Sequence, residues 1–399
     1  MRASAIGVLG VVAAVGAAAG LGVAIQSDLF AGSAVAAPAP AACAFPTAPS
    51  KTPEETAWRL FVAANCPANA GKVVWENWIE QADLYPAGGG PAMMARRPGG
   101  RLHGSPLAIA LAHHGQGQLA LTPATQCNAM RGPPKNVVAT QICEEVHINP
   151  AAASDITKAG YQRRPAQAAA AQKGVDMQFT KPGIEVKVDW IPASDFNPAF
   201  SCTKPPAGVR TEMFGGVCYA MAGMHISSKL LKDWVWATFE PQSMLTNPLR
   251  CITFGPCHDG WGSVPAVSNG GTAGFTKQTL PVQQLMQQAK LAPAYSNYRL
   301  DGVQITFTTP DKKPTYLGNS VIEGENVGMT RNTASCITCH SVSTVKTDGT
   351  DGASFLGSAS TVGAAFKPPA GWIARDFVWS LGLACPNAAF QTCAPAAKH

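Results

Sequence analysis

The most specific chemistry in the sequence lies in Ser335-Cys336-Ile337-Thr338-Cys339-His340. Two thiols three positions apart fall on one face of a helical turn. Both can add to the two vinyl groups of one porphyrin, and the next residue can turn its imidazole up to the metal at the centre. This is the attachment pattern of c-type haem, with Cys336 and Cys339 as thioether sites and His340 as proximal iron ligand. Two other chemistries use a Cys-x-x-Cys pair. Zinc needs two more ligands at similar spacing; there is no second Cys-x-x-Cys, and Cys251 to Cys257-His258 has the wrong gap. A thioredoxin-like pair belongs early in a strand-then-helix unit, and this pair sits late in the chain. One covalent haem c is therefore the expected cofactor.

The other face of the iron separates the possible functions. Small Met-ligated cytochromes c place their methionine after the haem motif, and no methionine follows His340. The candidates that remain are His225 and Met329, with Met213, Met221 and Met224 as weaker options and an open position as a third. His225 stands among Ala222, Met224 and Ile226, so it points into something structured; its alternative is a core histidine bonded to a carbonyl. Met329 is otherwise a packing methionine. If the site is catalytic, His225 is the candidate acid or base, with Glu323, Glu325 and Lys187 behind it.

The elements that position these residues are partly readable. Thr52-Pro53-Glu54-Glu55 reads as a helix start with a capping box, followed by Trp58, Phe61 and Val62 at helical spacing. Val73 to Ile79 is an aromatic packing segment. Residues 184–190 alternate strictly, with Ile184, Val186, Val188 and Trp190 on one face and Glu185, Lys187 and Asp189 on the other, as in a half-buried strand. Residues 217–226, 233–239 and 298–308 are further strands. A helix over 282–291 turns Leu285, Met286 and Ala289 inward. The order lacks a βαβ rhythm, so the expected fold is α+β, a mixed antiparallel sheet with short helices, loop-rich, with the haem-attachment segment near the C-terminus. Residues 86–135 read as a long irregular excursion, and His103, His113 and His114 within it as loop histidines. Glu144, Glu145 and His147 lack a ligand spacing and are expected at the surface. Thr347 to Gly352 reads as turns, and Asp376 to Leu381 as a last core element.

The address is legible from composition. Ala5 to Ile25 carries no charge, and Ala34-Val35-Ala36 precedes Ala37-Pro38, so residues 1–36 read as a signal peptide, or as an N-terminal anchor if uncleaved. Residues 37–51 are a Pro/Ala linker, 52–320 a large α+β domain and 321–399 a C-terminal haem region packed on it. Beyond Cys336 and Cys339, ten of the 12 cysteines remain. They fall as near neighbours, Cys43/Cys66, Cys127/Cys143, Cys202/Cys218, Cys251/Cys257 and Cys385/Cys393, and sequence leaves the pairing open. Such a set belongs in an oxidising compartment, so a periplasmic or other extracytoplasmic location is expected. The net charge of +6 is spread along the chain without a basic cluster, which excludes nucleic acid as a partner. The expected partner is a redox protein or a small-molecule substrate, with a membrane only if the N-terminal segment is kept.

Gly223 to Lys229, Trp234 to Glu240, Asn297 to Leu300, Leu317 to Ser320, the Cys-x-x-Cys-His and Asp376 to Leu381 together resemble a group of bacterial exported mono-haem cytochrome-c-type proteins, over residues 52–385 and by order of motifs. That resemblance implies covalent haem and an extracytoplasmic location but no reaction. Three functions fit: electron transfer through a six-coordinate haem, a peroxidase- or oxidase-like oxidoreductase with an open iron, and a module that binds a small ligand or gas.

Overall fold

The computed structural model describes residues 40–85, 128–129, 141–241, 257–264, 277–327, 333–355 and 362–384. Its first helix, α1 (Pro53–Ala64), starts where the sequence predicts. Thr52 accepts the Glu55 N–H at 3.1 Å, and Pro53 occupies the first turn, where its missing N–H costs nothing. The Glu55 side chain does not close a capping box; it turns outward to Arg59 at 2.8 Å. Trp58, Phe61 and Val62 are fully buried, and Phe61 meets Phe239 at 4.3 Å between ring centroids. Truncating such an aromatic typically costs ~3–5 kcal/mol.

The strands are β1 (Ile79–Glu80), β2 (Asn128–Ala129), β3 (Gln141–Ile148), β4 (Ile184–Pro192), β5 (Thr211–Phe214), β6 (Val217–Ser228), β7 (Val235–Pro241), a separate pair β8 (Ser263–Val264) and β9 (Lys277–Gln278), and β10 (Tyr298–Gln304). An eight-stranded sheet has the order β1-β3-β4-β6-β7-β10, with β2 on β3 and β5 on β6, and every pairing is antiparallel. Short helices α2 (Gln81–Leu84), α3 (Pro150–Lys158), α4 (Arg164–Gln172), α5 (Leu280–Gln288) and α6 (Cys336–Ser341) surround it. The fold is the antiparallel, loop-rich α+β architecture that the sequence predicts.

The sheet has two unlike faces. Ile184, Val186, Val188 and Trp190 join Met221, Met224, Ile226, Ala237 and Phe239 in a core covered by α1 and by Val282, Leu285, Met286 and Ala289 around α5. Burying these side chains is the main stabilising term. The opposite face carries Glu185, Lys187 and Asp189. It is covered by a second apolar cluster that includes Trp234, Trp236, Leu317, Ile337, Val345, Ile373, Val378 and Leu381. Here α6 packs with a small sheet of β11 (Thr344–Lys346) and β12 (Trp372–Ala374). The polar face of β4 therefore meets the protein interior, not bulk water.

Glu144, Glu145 and His147, expected at the surface, are instead buried in β3. Glu145 reaches His147 Nε2 at 2.6 Å and accepts the Trp190 indole N–H at 3.2 Å, while His147 Nδ1 sits 3.1 Å from the Trp78 carbonyl. These polar groups are tolerated inside because each finds a partner there.

Disulfides join Cys43 to Cys66 and Cys202 to Cys218, two of the neighbour pairs expected, and Cys143 and Cys257 are also disulfide-bonded. Such bonds point to an oxidising, extracytoplasmic compartment. Among the described residues no helix is long and apolar enough to cross a membrane. The N-terminal run of residues 5–25 and the site at 34–36, His103, His113, His114, Met329, and Cys127, Cys251, Cys385 and Cys393 lie outside the described residues.

Candidate functional site

The antiparallel register lays the polar residues of the second face in rows, because directly paired residues share a face. One row reads Val146, Lys187, His225, Thr238 across β3, β4, β6 and β7; the next reads Ile148, Glu185, Ser227, Trp236, Gln304 and extends to β10. Between these rows and α6 lies a cavity with about 1190 Å³ of empty space counting its open mouth. Val146, Glu144, Glu185, Lys187, His225, Trp236, Glu323, Cys336, Cys339 and His340 all line it. The structure thus gathers Cys336, Cys339, His340, His225, Glu323 and Lys187 around one space. Met221 and Met224 are buried in the core on the other face, and Met213 is 53% exposed on β5, so none of the three reaches the cavity. Glu325 belongs to the same wide helix as Glu323, with its side chain outside the described residues.

Helix α6 is six residues long, too short to persist without tertiary support. Its support is Gln304, whose side-chain oxygen accepts the Ile337 N–H at 2.9 Å while its amide donates to Ser335 Oγ at 2.9 Å and Thr315 Oγ1 at 2.8 Å. At the far end the Trp379 indole donates to the Cys339 carbonyl at 3.3 Å. Both Cys336 and Cys339 are free thiols on this helix. Burial, with Glu323 nearby, pushes the Cys339 thiol up to about 12 and the Cys336 thiol well above its ordinary value. A dithiol exchange centre needs a thiolate as attacking group, and this environment disfavours one.

His340 is fixed through a strained turn. Its Nδ1 lies 2.8 Å from the Phe377 carbonyl, so Nδ1–H donates there and Nε2 keeps its lone pair. Asp376 and Phe377 hold left-handed φ values of 49° and 69°, a conformation that bulky residues adopt only under constraint. The constraint is the Asp376 carboxylate, which accepts from Lys229 at 2.5 Å, the Trp234 indole at 3.3 Å and the Phe179 N–H at 2.8 Å. Burial drives the His340 imidazole down to about 3, so it is neutral at any ordinary pH, the form a metal requires.

The opposite wall is ionisable. Lys187 pairs with Glu144 at 3.3 Å, and His225 Nε2 lies 3.3 Å from Glu323 without hydrogen-bond alignment. Burial works against charge on Lys187, but Glu144, Asp189 and Glu323 more than offset it and hold its ammonium form. Burial likewise opposes ionisation of Glu323, yet His225 and Lys187 keep its carboxyl below the usual range. Glu185 is only partly compensated by Lys187 and Ser380, and burial pushes it up to about 7. Glu323 reaches His225 because Gly223 leaves room: a Cβ there would meet Ile322 Cδ1 at 2.9 Å. Asn319 fastens the same helix, donating to Thr238 Oγ1 at 3.0 Å and to the Phe239 carbonyl at 3.2 Å.

Sequence reasoning missed Gln304, Trp236, Glu185, Asn319 and the Lys229–Asp376 pair. Glu185 shares its strand face with Lys187, and Trp236, Asn319, Lys229 and Asp376 lie in the segments that carry the resemblance, but no spacing assigned them a role. Among the described residues no group of three or more His, Cys, Asp and Glu side chains is placed to hold a metal ion by itself. A haem needs one axial nitrogen and two thiols beside one cavity, and Cys336, Cys339 and His340 line the same one. The chain matches no family model, no curated protein and no solved structure.

Proposed function

We propose that this protein is an exported haem c protein with a redox role, its one haem held by thioethers to Cys336 and Cys339 with His340 as axial ligand. The observation that carries this reading is the His340 Nδ1–H donated to the Phe377 carbonyl beside two free thiols on one helical turn. It leaves Nε2 as the one unspent nitrogen of a ring that lines the cavity, with its tautomer set in advance. Bound haem would supply one-electron chemistry, its potential set by the axial ligands and by burial. The chain's own residues hold and tune it. Gln304 and Trp379 fix the attachment helix, Asp376 and Phe377 fix the imidazole, and Trp236 fills the space beside the ring. His225 is the candidate for the second axial position, with Met329 the other. Electron transfer with a redox partner protein is the function this arrangement supports best.

The ionisable lining favours a second reading, an oxidoreductase acting on a small molecule at an open iron. A carrier needs a dry, apolar pocket to limit reorganisation; Lys187, His225, Glu323 and Glu185 are groups that move or hold protons. In that reading His225 is the acid or base and Glu323 orients it.

The test is the visible spectrum of the exported protein, oxidised and reduced, with and without CO, beside haem staining on a denaturing gel. Low-spin reduced protein that ignores CO supports the carrier, and high-spin protein that binds CO at once supports the oxidoreductase. Cys336→Ala with Cys339→Ala is expected to abolish the haem-stained band. A band retained in that double variant, or absent from the wild type, overturns the haem reading.

A further inference from the structure

The cavity wall beside α6 holds a side chain that neither anchoring nor packing explains. Trp236 lies with its ring centroid 4.4 Å from that of the His340 imidazole, tilted by 45°. Trp234 stacks on it at 6.1 Å and 30°, and Phe377 is 6.0 Å away. Both indoles are buried. A leucine or phenylalanine would fill the same space. An indole adds a π system from which one electron is readily withdrawn, and an N–H that must find an acceptor.

We propose that Trp236 is a redox-active residue, yielding one electron when a haem held at His340 reduces a peroxide. The proposal rests on the haem reading and extends its oxidoreductase form. Reducing one hydrogen peroxide to two waters consumes two electrons and two protons. Trp236 supplies one electron and the haem the other. The protons come from solvent through the ionisable wall that holds His225 and Glu323. No bond to the indole forms or breaks, and two one-electron transfers from an external donor later restore the ring and the haem.

The surroundings decide the form and location of the oxidised ring. Trp236 Nε1–H donates to the Asp233 carbonyl at 2.9 Å, an acceptor that cannot take a proton. The oxidised ring therefore keeps its proton and exists as a cation radical. Trp234 is placed differently, with the Lys229 ammonium 5.9 Å from its ring centroid, which disfavours a second positive charge there. Its own N–H donates to Asp376, whose carboxylate already pairs with Lys229. Trp236 is the indole in contact with the imidazole, so it is the one that yields the electron.

The experiment mixes the purified ferric protein with one equivalent of hydrogen peroxide and freezes it for electron paramagnetic resonance. Covalent haem is quantified on the same sample. The expected result is an organic radical whose line narrows when the protein carries ring-deuterated tryptophan, lost in Trp236→Phe and retained in Trp234→Phe. Haem-loaded protein without a tryptophan radical, or a radical unchanged in Trp236→Phe, overturns the proposal and leaves the haem reading standing. Protein without covalent haem overturns both. If Trp236→Phe does not fold, peptide mass spectrometry of peroxide-treated wild type decides. Oxygen addition at Trp236 above that at the buried Trp58, Trp75 and Trp190 supports the proposal, and equal or lower addition overturns it.

Discussion

Replacing Gln304 by leucine keeps the volume of a side chain that ties β10 to α6 and removes all of its polar contacts. The largest loss is at the Ile337 N–H, which sits in the first turn of α6 on a fully buried residue and would have no acceptor. An orphaned buried donor costs ~1–3 kcal/mol. Ser335 Oγ loses one donor but still donates to Thr338 Oγ1 at 3.0 Å, and half-buried Thr315 can be rehydrated. These add about 1 kcal/mol, giving roughly 2–4 kcal/mol in all. With per-residue unfolding entropies, a unit of this size loses about 1–2 °C per kcal/mol, so the midpoint should fall by roughly 2–8 °C. Denaturant and thermal unfolding of the purified protein measure it, with Thr315→Val as the control expected to cost under about 1 kcal/mol. A loss below about 1 kcal/mol for Gln304→Leu would refute the view that this side chain holds the short helix in place.

Two further perturbations probe the cavity. Gly223→Ala pushes a methyl to 2.9 Å from Ile322 Cδ1, so the buried Ile322 side chain or the Ser320–Val327 helix must shift; the expected cost is about 1–3 kcal/mol by denaturant unfolding, and an unchanged midpoint would show that the contact yields freely. Glu185 is raised from 4.5 to about 7 by burial, partly opposed by Lys187 and Ser380. Between those values the folded protein keeps a proton that the unfolded chain releases, so stability falls as pH rises through that window and is flat beyond it. Glu185→Gln should remove that fall, read as unfolding midpoints at pH 4.5 and above 7; a slope equal to that of the wild type would assign the dependence to another group.

The parts of the fold legible in the sequence are those written in local periodicity and capping. Thr52 and Pro53 set the start of α1, and the alternation over 184–190 sets both the strand and its two faces. Periodicity alone does not say what a polar face meets. Glu185, Lys187 and Asp189 read like a solvated edge because their partners, Glu144 and Glu323, lie far away along the chain. The β3 run is harder still, since Glu144 and Glu145 point to opposite faces, the first meeting Lys187 and the second His147 and Trp190. Of the site, the thiols and His340 were legible because attachment chemistry fixes their spacing. Gln304, Asn319 and Trp236 were not, because they act on α6 and on the Ser320–Val327 helix only through tertiary contact. The left-handed turn at Asp376 and Phe377 was hidden for a further reason: neither residue favours that conformation, and only Lys229, Trp234 and the Phe179 amide impose it.

The two unlike faces of β4 also protect the alignment of the sheet. Sliding that strand by one residue against β3 and β6 would drive Glu185, Lys187 and Asp189 among Trp58, Phe61 and Phe239, and would turn Val186 and Val188 toward Lys187's former neighbours. Each misplaced charge would cost several kcal/mol, so the slipped pairing is unreachable. The groups that give the cavity its chemistry are thus the same ones that keep the chain from mispairing. A variant that neutralised all three with leucines would lose more than reactivity: its central strand would have two acceptable alignments instead of one.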